Sequence, residues 1–446
     1  MRRKFKIVTL GCKVNQYEST YLREALLQRG WAEASGGERA DASIVNTCIV
    51  TQRASYQSRQ AIRKAIRESP SGITAAVGCY GQVFPKELSE IEGLDLVLNN
   101  TTKSQLPGIL ASVEKQSRAC FVLEEFSPSM PFESLAVKGA SDRTRAFLKI
   151  QDGCESFCSY CIVPFARGPL RSLDTGRALF MVKELRAAGY KEVVLTGIHL
   201  GKYGMDLGNG TNLMHLLDLI GKERLSLRIR LSSLEPNEIH EELIAMVAGE
   251  GWLCRHFHIP LQSGDRTILK AMNRHYTPVR FTRLVEKIHG KIPLAAIGVD
   301  VMAGFPGENH EAYLNTYGLI RDLPVSYLHV FPYSSREGTA ASRLRGQVLS
   351  KEVKERTGAL RALGKEKRGA FYRSCLGRTF MVLAEGWESE PKRLVKGLSD
   401  NYLKVLFQSP ELIKNDMVPV TPEKMHKDRM LGRVDRLPLK PHGWAT

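Results

Sequence analysis

Ala146-Phe147-Leu148-Lys149-Ile150-Gln151-Asp152-Gly153-Cys154-Glu155-Ser156-Phe157-Cys158-Ser159-Tyr160-Cys161 runs from a β-type segment straight into a loop that carries three cysteines. The thiols follow one another at spacings of four and three residues. A loop with that spacing can wrap three sulfurs around one metal cluster. No fourth cysteine and no histidine stands beside them in the sequence. A closed structural zinc site takes four ligands, and an electron-transfer iron–sulfur cluster is held by four cysteines. Three thiolates would leave one iron open to a substrate or cofactor. A partial zinc site or a set of reactive thiols is the plainer alternative.

Downstream of this loop the chain alternates between strand-like and helical segments. Strands are expected at Ala146–Gln151, Glu192–Thr196, Leu227–Ser232, His256–Ile259, Ile297–Met302 and Tyr327–Phe331. Helices such as Thr175–Ala188 and Pro278–His289 separate them. Repeated βα units predict a parallel sheet, curved into a partial (βα)6 barrel. Upstream, Lys4–Leu10, Ala42–Thr47, Ile73–Val77 and Leu94–Leu98 read as strands, with helices over Gln16–Arg29 and Arg53–Glu68. The expected fold class is therefore α/β, with an N-terminal parallel α/β domain over 1–115. A linker over 116–143 follows from Ser127-Pro128-Ser129-Met130-Pro131 and Lys138-Gly139-Ala140-Ser141-Asp142. The barrel with a charged helical extension spans 144–374. Short β runs such as Thr379–Leu383 and Tyr402–Phe407 suggest a small β-barrel over 375–437.

The chain has 446 residues and a formal net charge of +17. That excess points to a polyanionic partner, with nucleic acid the first candidate. Between 343 and 373 ten Lys or Arg face three Glu, and Arg53, Arg59, Arg63, Lys64 and Arg67 share one helix. A solvated helix face is the other account of such a run. No targeting segment and no apolar run of membrane-spanning length is visible, so no membrane partner and a cytoplasmic location are expected. In that compartment nine cysteines are not expected to form disulfides.

A second, dispersed triple is Cys12, Cys48 and Cys79. Each follows one strand of the first sheet, and parallel α/β sheets bind ligands at the carboxyl ends of their strands. Three such ends can converge on a second three-thiolate cluster. Gly11 and Gly78 would let the backbone pass close to it. Ordinary packing of small thiols is the alternative. Cys120, Cys254 and Cys375 read as packing residues.

The motif Cys154-x3-Cys158-x2-Cys161, with Tyr160 before its last cysteine, resembles the radical S-adenosylmethionine signature. The surrounding runs resemble the methylthiotransferase branch: Asp152-Gly153-Cys154, Cys161-Ile162-Val163-Pro164-Phe165-Ala166-Arg167-Gly168, Leu195-Thr196-Gly197-Ile198-His199, His258-Ile259-Pro260-Leu261-Gln262-Ser263-Gly264 and Gly304-Phe305-Pro306-Gly307-Glu308. Val395-Lys396-Gly397-Leu398-Ser399-Asp400-Asn401-Tyr402 resembles the RNA-binding TRAM module of that family. Gly11-Cys12-Lys13-Val14-Asn15-Gln16-Tyr17-Glu18-Ser19 is similar to the branch acting on threonylcarbamoyladenosine in tRNA. One departure is Leu173 after Arg171-Ser172, where members often carry a further Arg.

The resemblance implies two [4Fe–4S] clusters, S-adenosyl-L-methionine, a tRNA substrate, an electron donor such as flavodoxin or ferredoxin, and a sulfur source. Cys154, Cys158 and Cys161 would hold the cluster that cleaves S-adenosylmethionine. Cys12, Cys48 and Cys79 would hold the one that handles sulfur. The product would be the 2-methylthio derivative of the adenosine just 3′ of the anticodon. By position and resemblance Tyr160, Gly197, Ser232, Gln262 and Asp300 would contact S-adenosylmethionine, with turn or core packing as the other account. His256 and His258 read as satisfied core histidines. Three other readings stay open: the same chemistry on isopentenyl-adenosine or a ribosomal-protein aspartate, a zinc-containing RNA-binding protein, and an electron carrier.

Overall fold

The computed structural model describes residues 2–115, 118–127, 129–135, 143–208, 210–388, 393–409 and 414–435. Its first layer is a six-stranded parallel sheet. The strands lie in the order Ala32–Glu33, Lys4–Thr9, Ala42–Thr47, Ile73–Gly78, Leu96–Leu98 and Cys120–Val122. The third, Ala-Ser-Ile-Val-Asn-Thr, is buried along its whole length, as a parallel strand covered on both faces must be. Helices Lys13–Gln28 and Gln52–Glu68 flank it. Thr51 caps the second by accepting from the Ala54 N–H at 3.0 Å.

Part of the expected linker belongs to this sheet. Cys120–Val122 pairs with Leu96–Leu98 as its edge strand. The apolar triplet Cys120-Phe121-Val122 can satisfy an edge, a signal hidden beside the Pro- and Ser-rich run that follows. Cys120 is exposed there, which corrects its reading as a packing residue, whereas Cys254 and Cys375 are buried. The tract 138–142 lies outside the described residues.

Six parallel strands follow in chain order: Arg145–Lys149, Glu192–Thr196, Arg228–Leu231, His256–Gln262, Ala296–Ala303 and Tyr327–Pro332. They form two three-stranded parallel sheets. A single parallel bridge, Ile229 to Leu253, joins the two at the seam. Alternate residues such as Leu148, Leu195, Ile229, Leu231, Ile259 and Val299 enter one large hydrophobic core under the helices. Their neighbours Arg145, Glu192, Arg230, His258 and Asp300 therefore face the opposite, inner side. The first strand ends earlier than the sequence suggests. Gln151–Asp152 leaves it to pair antiparallel with Arg171–Ser172, which aims the cysteine loop.

Helix Ser350–Ser374 packs across the last strand through Leu360 and Leu363. Strands Phe380–Trp387, Leu394–Ser399, Lys404–Gln408, Met417–His426 and Arg429–Val434 then close into a small barrel. This barrel docks against the amino ends of the six strands. Arg228 donates to Met381 O and Leu398 O at 2.9 and 2.7 Å, and Arg230 to Asp400 O and Ser399 O at 2.8 and 2.9 Å. Tyr402 stacks on His256 with ring centroids 4.4 Å apart. The cysteine loop stands at the opposite, carboxyl end.

Candidate active site

The loop 154–161 is held from three sides. Gly153, at φ +78°, lies so close to Pro169 that a Cβ would fall 1.7 Å from the carbonyl oxygen of that residue, so only glycine fits. Asn273 donates to the carbonyls of Ser156 and Phe157 at 3.2 and 3.1 Å, which holds Phe157 in its left-handed conformation. Ser159 bonds Met272 O and Ala341 N through its backbone at 3.0 and 2.7 Å. Three thiols at short sequence spacing are thereby fixed by residues more than a hundred positions away.

Each thiol has its own surroundings. His199 Nδ1 lies 3.5 Å from Cys154 Sγ, and its Nε2 lies 2.6 Å from Glu238. Against the upward push of burial, the His199 hydrogen bond and the Ser156 backbone hold the Cys154 thiol below its ordinary value. Burial lowers His199, but the bonds to Cys154 and Glu238 outweigh it and raise the imidazole to about 10. Arg274 Nη1 lies 3.3 Å from Cys158 Sγ and pairs with Glu235. Burial pushes the Cys161 thiol up to about 12. The sequence shows no histidine near the motif; the fold supplies His199 from the end of the second strand. A cavity of about 480 Å³ opens beside this loop, lined among others by Cys158, His199, Glu235, Arg274 and Tyr276. Gly197, Ser232, Gln262 and Asp300 do not line it.

The second triple is built by register. Lys4–Thr9, Ala42–Thr47 and Ile73–Gly78 are neighbours, paired Thr9 to Asn46 and Thr47 to Gly78. Their carboxyl ends therefore coincide, and Cys12, Cys48 and Cys79 meet there. A Cβ on Gly11 would sit 2.9 Å from Cys48 Sγ, which measures how closely the two segments approach. Asn100 donates to Cys79 Sγ at 3.5 Å, and Ser58 clamps the Cys48 backbone at 3.1 and 2.9 Å. Burial pushes the Cys48 thiol up to about 12.

Between the triples lies a buried ionic network that the sequence reading missed. Glu18 pairs with Lys103 at 2.5 Å, Arg167 at 2.6 Å and Lys149 at 3.4 Å. Asp152 pairs with Lys149 at 2.9 Å and Arg167 at 3.5 Å. Arg167 also donates to Asn15 Oδ1 at 2.5 Å. Burial alone would raise the Glu18 carboxyl, but Arg167, Lys103 and Lys149 bring it down to about 2. Each triple therefore adjoins the same network: Cys12 Sγ lies 3.7 Å from Asn15 Oδ1, which Arg167 binds, and Cys154 stands two residues after Asp152. The signal was present in the quoted motifs, since Glu18, Asp152 and Arg167 all stand in them.

The expected cofactor contacts separate. A Cβ on Gly197 would meet Gln151 Oε1 at 2.8 Å, so this glycine answers first to packing. Tyr160 packs edge-on to Phe305, 6.5 Å away. Gln262 adopts φ +62° at a register shift in its strand. Ser232 Oγ is buried without a partner among the described residues. Asp300 accepts from His258 at 2.8 Å and lies 3.2 Å from His329. Those three gather tightly enough to ligate one ion, and neither cysteine triple does so. His258 is satisfied at both nitrogens; His256 bonds Tyr327 at 2.8 Å, and its Nδ1 has no partner among the described residues.

Known proteins define first a class and then a family. Residues 148–320 match the radical SAM superfamily, and residues 4–99 match the group described as uncharacterized protein family UPF0004. Among solved structures, the radical S-adenosylmethionine methyltransferase TsrM of Kitasatospora setae aligns over 74% of this chain and 75% of its own. The TM-score is 0.55 and the identity 15%, a likeness of fold. The threonylcarbamoyladenosine tRNA methylthiotransferase of Bacillus subtilis is 37% identical over 92% of both chains. Its Aquifex aeolicus counterpart is 38% identical over 90% of this chain and 96% of the relative. The chain belongs to the radical SAM methylthiotransferase family, an enzyme family whose superfamily uses S-adenosylmethionine and a [4Fe–4S] cluster. No helix among the described residues is long and apolar enough to cross a membrane.

Proposed function

We propose that this enzyme converts N6-threonylcarbamoyladenosine in tRNA, next to the anticodon, to its 2-methylthio derivative. The observation that carries the reading is the pair of three-thiol sets flanking one buried network, in a chain related along most of its length to enzymes of that name. Cys154, Cys158 and Cys161 would hold one cluster, and Cys12, Cys48 and Cys79 a second. When bound, the first would supply reductive cleavage of S-adenosylmethionine and the second sulfur chemistry. The chain's own residues do the rest. His199, held by Glu238, fixes Cys154, and Arg274, held by Glu235, sets a positive charge at Cys158. Arg167 ties both halves together across Glu18 and Asp152, so the distance between the triples is set by a rigid contact.

Tyr160, Gly197, Ser232, Gln262 and Asp300 contact S-adenosylmethionine in this reading. Ser232 has the strongest support, because a buried hydroxyl without a partner is costly unless a ligand satisfies it. The first unit extends through its edge strand Cys120–Val122, and the others run 144–374 and from 375 on, with the last as the RNA-binding module. An external donor such as flavodoxin or ferredoxin supplies electrons, a separate source replenishes sulfur, and the enzyme works in the cytoplasm.

The deciding experiment offers the anaerobically reconstituted enzyme two tRNAs, one carrying threonylcarbamoyl-adenosine and one carrying isopentenyl-adenosine. Nucleoside mass spectrometry should find methylthio product on the first. Product on the second alone refutes the substrate.

A further inference from the structure

Helix Gln52–Glu68 starts four residues after Cys48, and its first turn meets the loop that leaves strand Tyr327–Pro332. The two are joined where the Gln52 N–H donates to Ser334 Oγ at 3.0 Å. Beside that bond opens a cavity of about 440 Å³, lined among others by Gln52, Ser55, Tyr56 and Arg59 of the helix and by Arg336 and Glu337 of the loop. Two of its polar side chains are buried and unmatched. Arg336 is 7% exposed, yet its guanidinium makes no hydrogen bond and no ion pair among the described residues. It lies over the Phe84 ring, 5.1 Å from the centroid. Ser55 is 3% exposed, and its Oγ also has no partner among the described residues. A buried cation and a buried hydroxyl left in this state are costly unless a ligand satisfies them.

The two carboxylates of the cavity do not answer Arg336. Glu87 is held by Arg59 at 3.2 Å and by Tyr80 at 2.5 Å. Glu337 is exposed and forms no ion pair among the described residues. The amino end of the helix adds positive partial charge, and the Arg53 N–H in its first turn keeps no partner among the described residues. A guanidinium, a hydroxyl and a helix amino end suit an anion with several acceptor oxygens, and phosphate is the usual match for the guanidinium fork. Tyr56 lines the same cavity and is 56% exposed, so an unpaired base next to such a phosphate has a ring to stack on.

We infer that this cavity binds one phosphodiester of the tRNA anticodon loop through Arg336 and Ser55. The inference rests on the reading of tRNA as the substrate, and not on which modified adenosine that tRNA carries. The site lies close to the second triple: Ser58, on the same face of the helix three residues after Ser55, bonds the Cys48 backbone. A phosphate held at Ser55 therefore fixes the RNA strand relative to that thiol. The carboxylate of the threonylcarbamoyl group is the other anion within the substrate, so the test separates the two sources.

The test is phosphate-ethylation interference with the anaerobically loaded full chain and whole tRNA, without S-adenosylmethionine. Ethylation removes the charge of single phosphates, and the bound fraction shows which of them the protein needs. The wild type should show interference in the anticodon loop. Arg336→Gln should erase it at one loop phosphate, keep it elsewhere and weaken binding by about tenfold or more, as loss of a hydrogen bond to a charged group does. The slope of log affinity against log salt should fall by about one. Arg336→Lys should restore the slope but not the whole affinity, because a point charge lacks the fork. An Arg336→Gln footprint equal to that of the wild type overturns the proposal even where affinity falls, for Arg336 then only packs on Phe84. If Arg336→Gln does not fold, Ser55→Ala carries the same test, and its unchanged footprint overturns the proposal. So does an Arg336 effect present with threonylcarbamoyl-adenosine tRNA and absent with the unmodified tRNA, which assigns the site to the carboxylate. Methylthio product on isopentenyl-adenosine tRNA alone fails the substrate reading and leaves this site standing, whereas a wild type that binds no tRNA fails both.

Discussion

The two cysteine triples reach the same outcome by opposite routes. Cys154, Cys158 and Cys161 are close in sequence, so their loop brings them together whatever the rest of the chain does. What the fold adds is aim: Asn273, Ala341 and Gly153 fix the loop, and His199 and Arg274 give two of its thiols different electrostatic surroundings. Cys12, Cys48 and Cys79 are far apart in sequence and meet only because three parallel strands share a register. A local motif can be read from spacing, whereas a distributed one depends on the sheet being right. The difference also separates their expected chemistry. In the first triple Cys154 and Cys158 are hydrogen-bonded to His199 and Arg274, while in the second the hydrogen bonds come from the neutral Asn100, Asn15 and Ser58, with Arg167 behind them.

The sharpest way to break this comparison is to remove one thiol from each set. Cys158→Ala should abolish both 5′-deoxyadenosine formation and methylthio product. Cys12→Ala should still cleave S-adenosylmethionine reductively and make no methylthio product. Anaerobic iron analysis should give roughly eight irons per chain, falling by half when Cys154, Cys158 and Cys161 are all Ala, as four-iron clusters require. If Cys12→Ala loses cleavage as fully as Cys158→Ala while keeping the cluster on Cys154, Cys158 and Cys161, the division of labour is wrong. Stoichiometric zinc without iron would remove the clusters altogether.

The next effect is on stability and concerns what the triples share. Arg167→Met leaves Glu18 and Asp152 buried with fewer partners, and stripping one side of such a network costs about 3–5 kcal/mol. The urea midpoint of Arg167→Met should fall accordingly, while Lys64→Met, on the exposed pair with Glu68, should move it far less. Equal shifts would show that the network does not join the two halves.

Acid should report on the same carboxylates more gently. Glu18 and Glu192 both titrate at about 2 in the fold, because Arg167 and the Arg228–Arg230 pair respectively outweigh the upward push of burial. A carboxylate held below its unfolded value contributes stability that is complete above that value, near 4.5, and is lost as pH falls toward the folded one. Stability should therefore decline between about pH 4.5 and 2, and Glu192→Gln should flatten part of that decline. Because Arg228 and Arg230 also hold the small barrel, its tryptophan, Trp387, should report undocking over the same range. An unchanged acid limb in Glu192→Gln would reject the assignment.

Much of this was legible in the chain. The strands of the parallel sheets, the helical extension and the positions of both cysteine triples follow from periodicity and spacing, because burial on both faces leaves continuous apolar runs such as Ala75–Val77 and Val193–Leu195. What was not legible depends on contacts between distant segments. The edge strand Cys120–Val122 is too short to stand out beside a Pro-rich run. The bonds of His199 to Cys154 and of Arg274 to Cys158 each span more than forty residues. The pairing of Glu18 with Arg167 spans 149 positions. Charge gave only its sum: ten basic residues at 343–373 read alike in sequence, yet Arg356 is buried on Glu308 and Lys367 caps carbonyls of the neighbouring helix.

That last distinction yields the smallest expected effect and the finest test of the comparison. Lys354, Arg361 and Lys365 are exposed on helix Ser350–Ser374, and in the small barrel Lys396, Lys424 and Lys427 are exposed as well. If the RNA lies along the helix, each Ala substitution there should weaken tRNA binding modestly. It should also reduce the slope of log affinity against log salt by about one for every phosphate that is no longer neutralised. Substitutions in the small barrel probe its role without the damage that truncation at Gly377 would do, since truncation strips Arg228, Arg230 and His256 of their partners. Arg356→Met is the contrasting variant: it should lower the melting temperature through loss of its buried pair and leave the salt slope as it was. A helix whose exposed lysines can be removed without change in slope is a solvated face, and the RNA then reaches the two triples by way of the small barrel or the first domain.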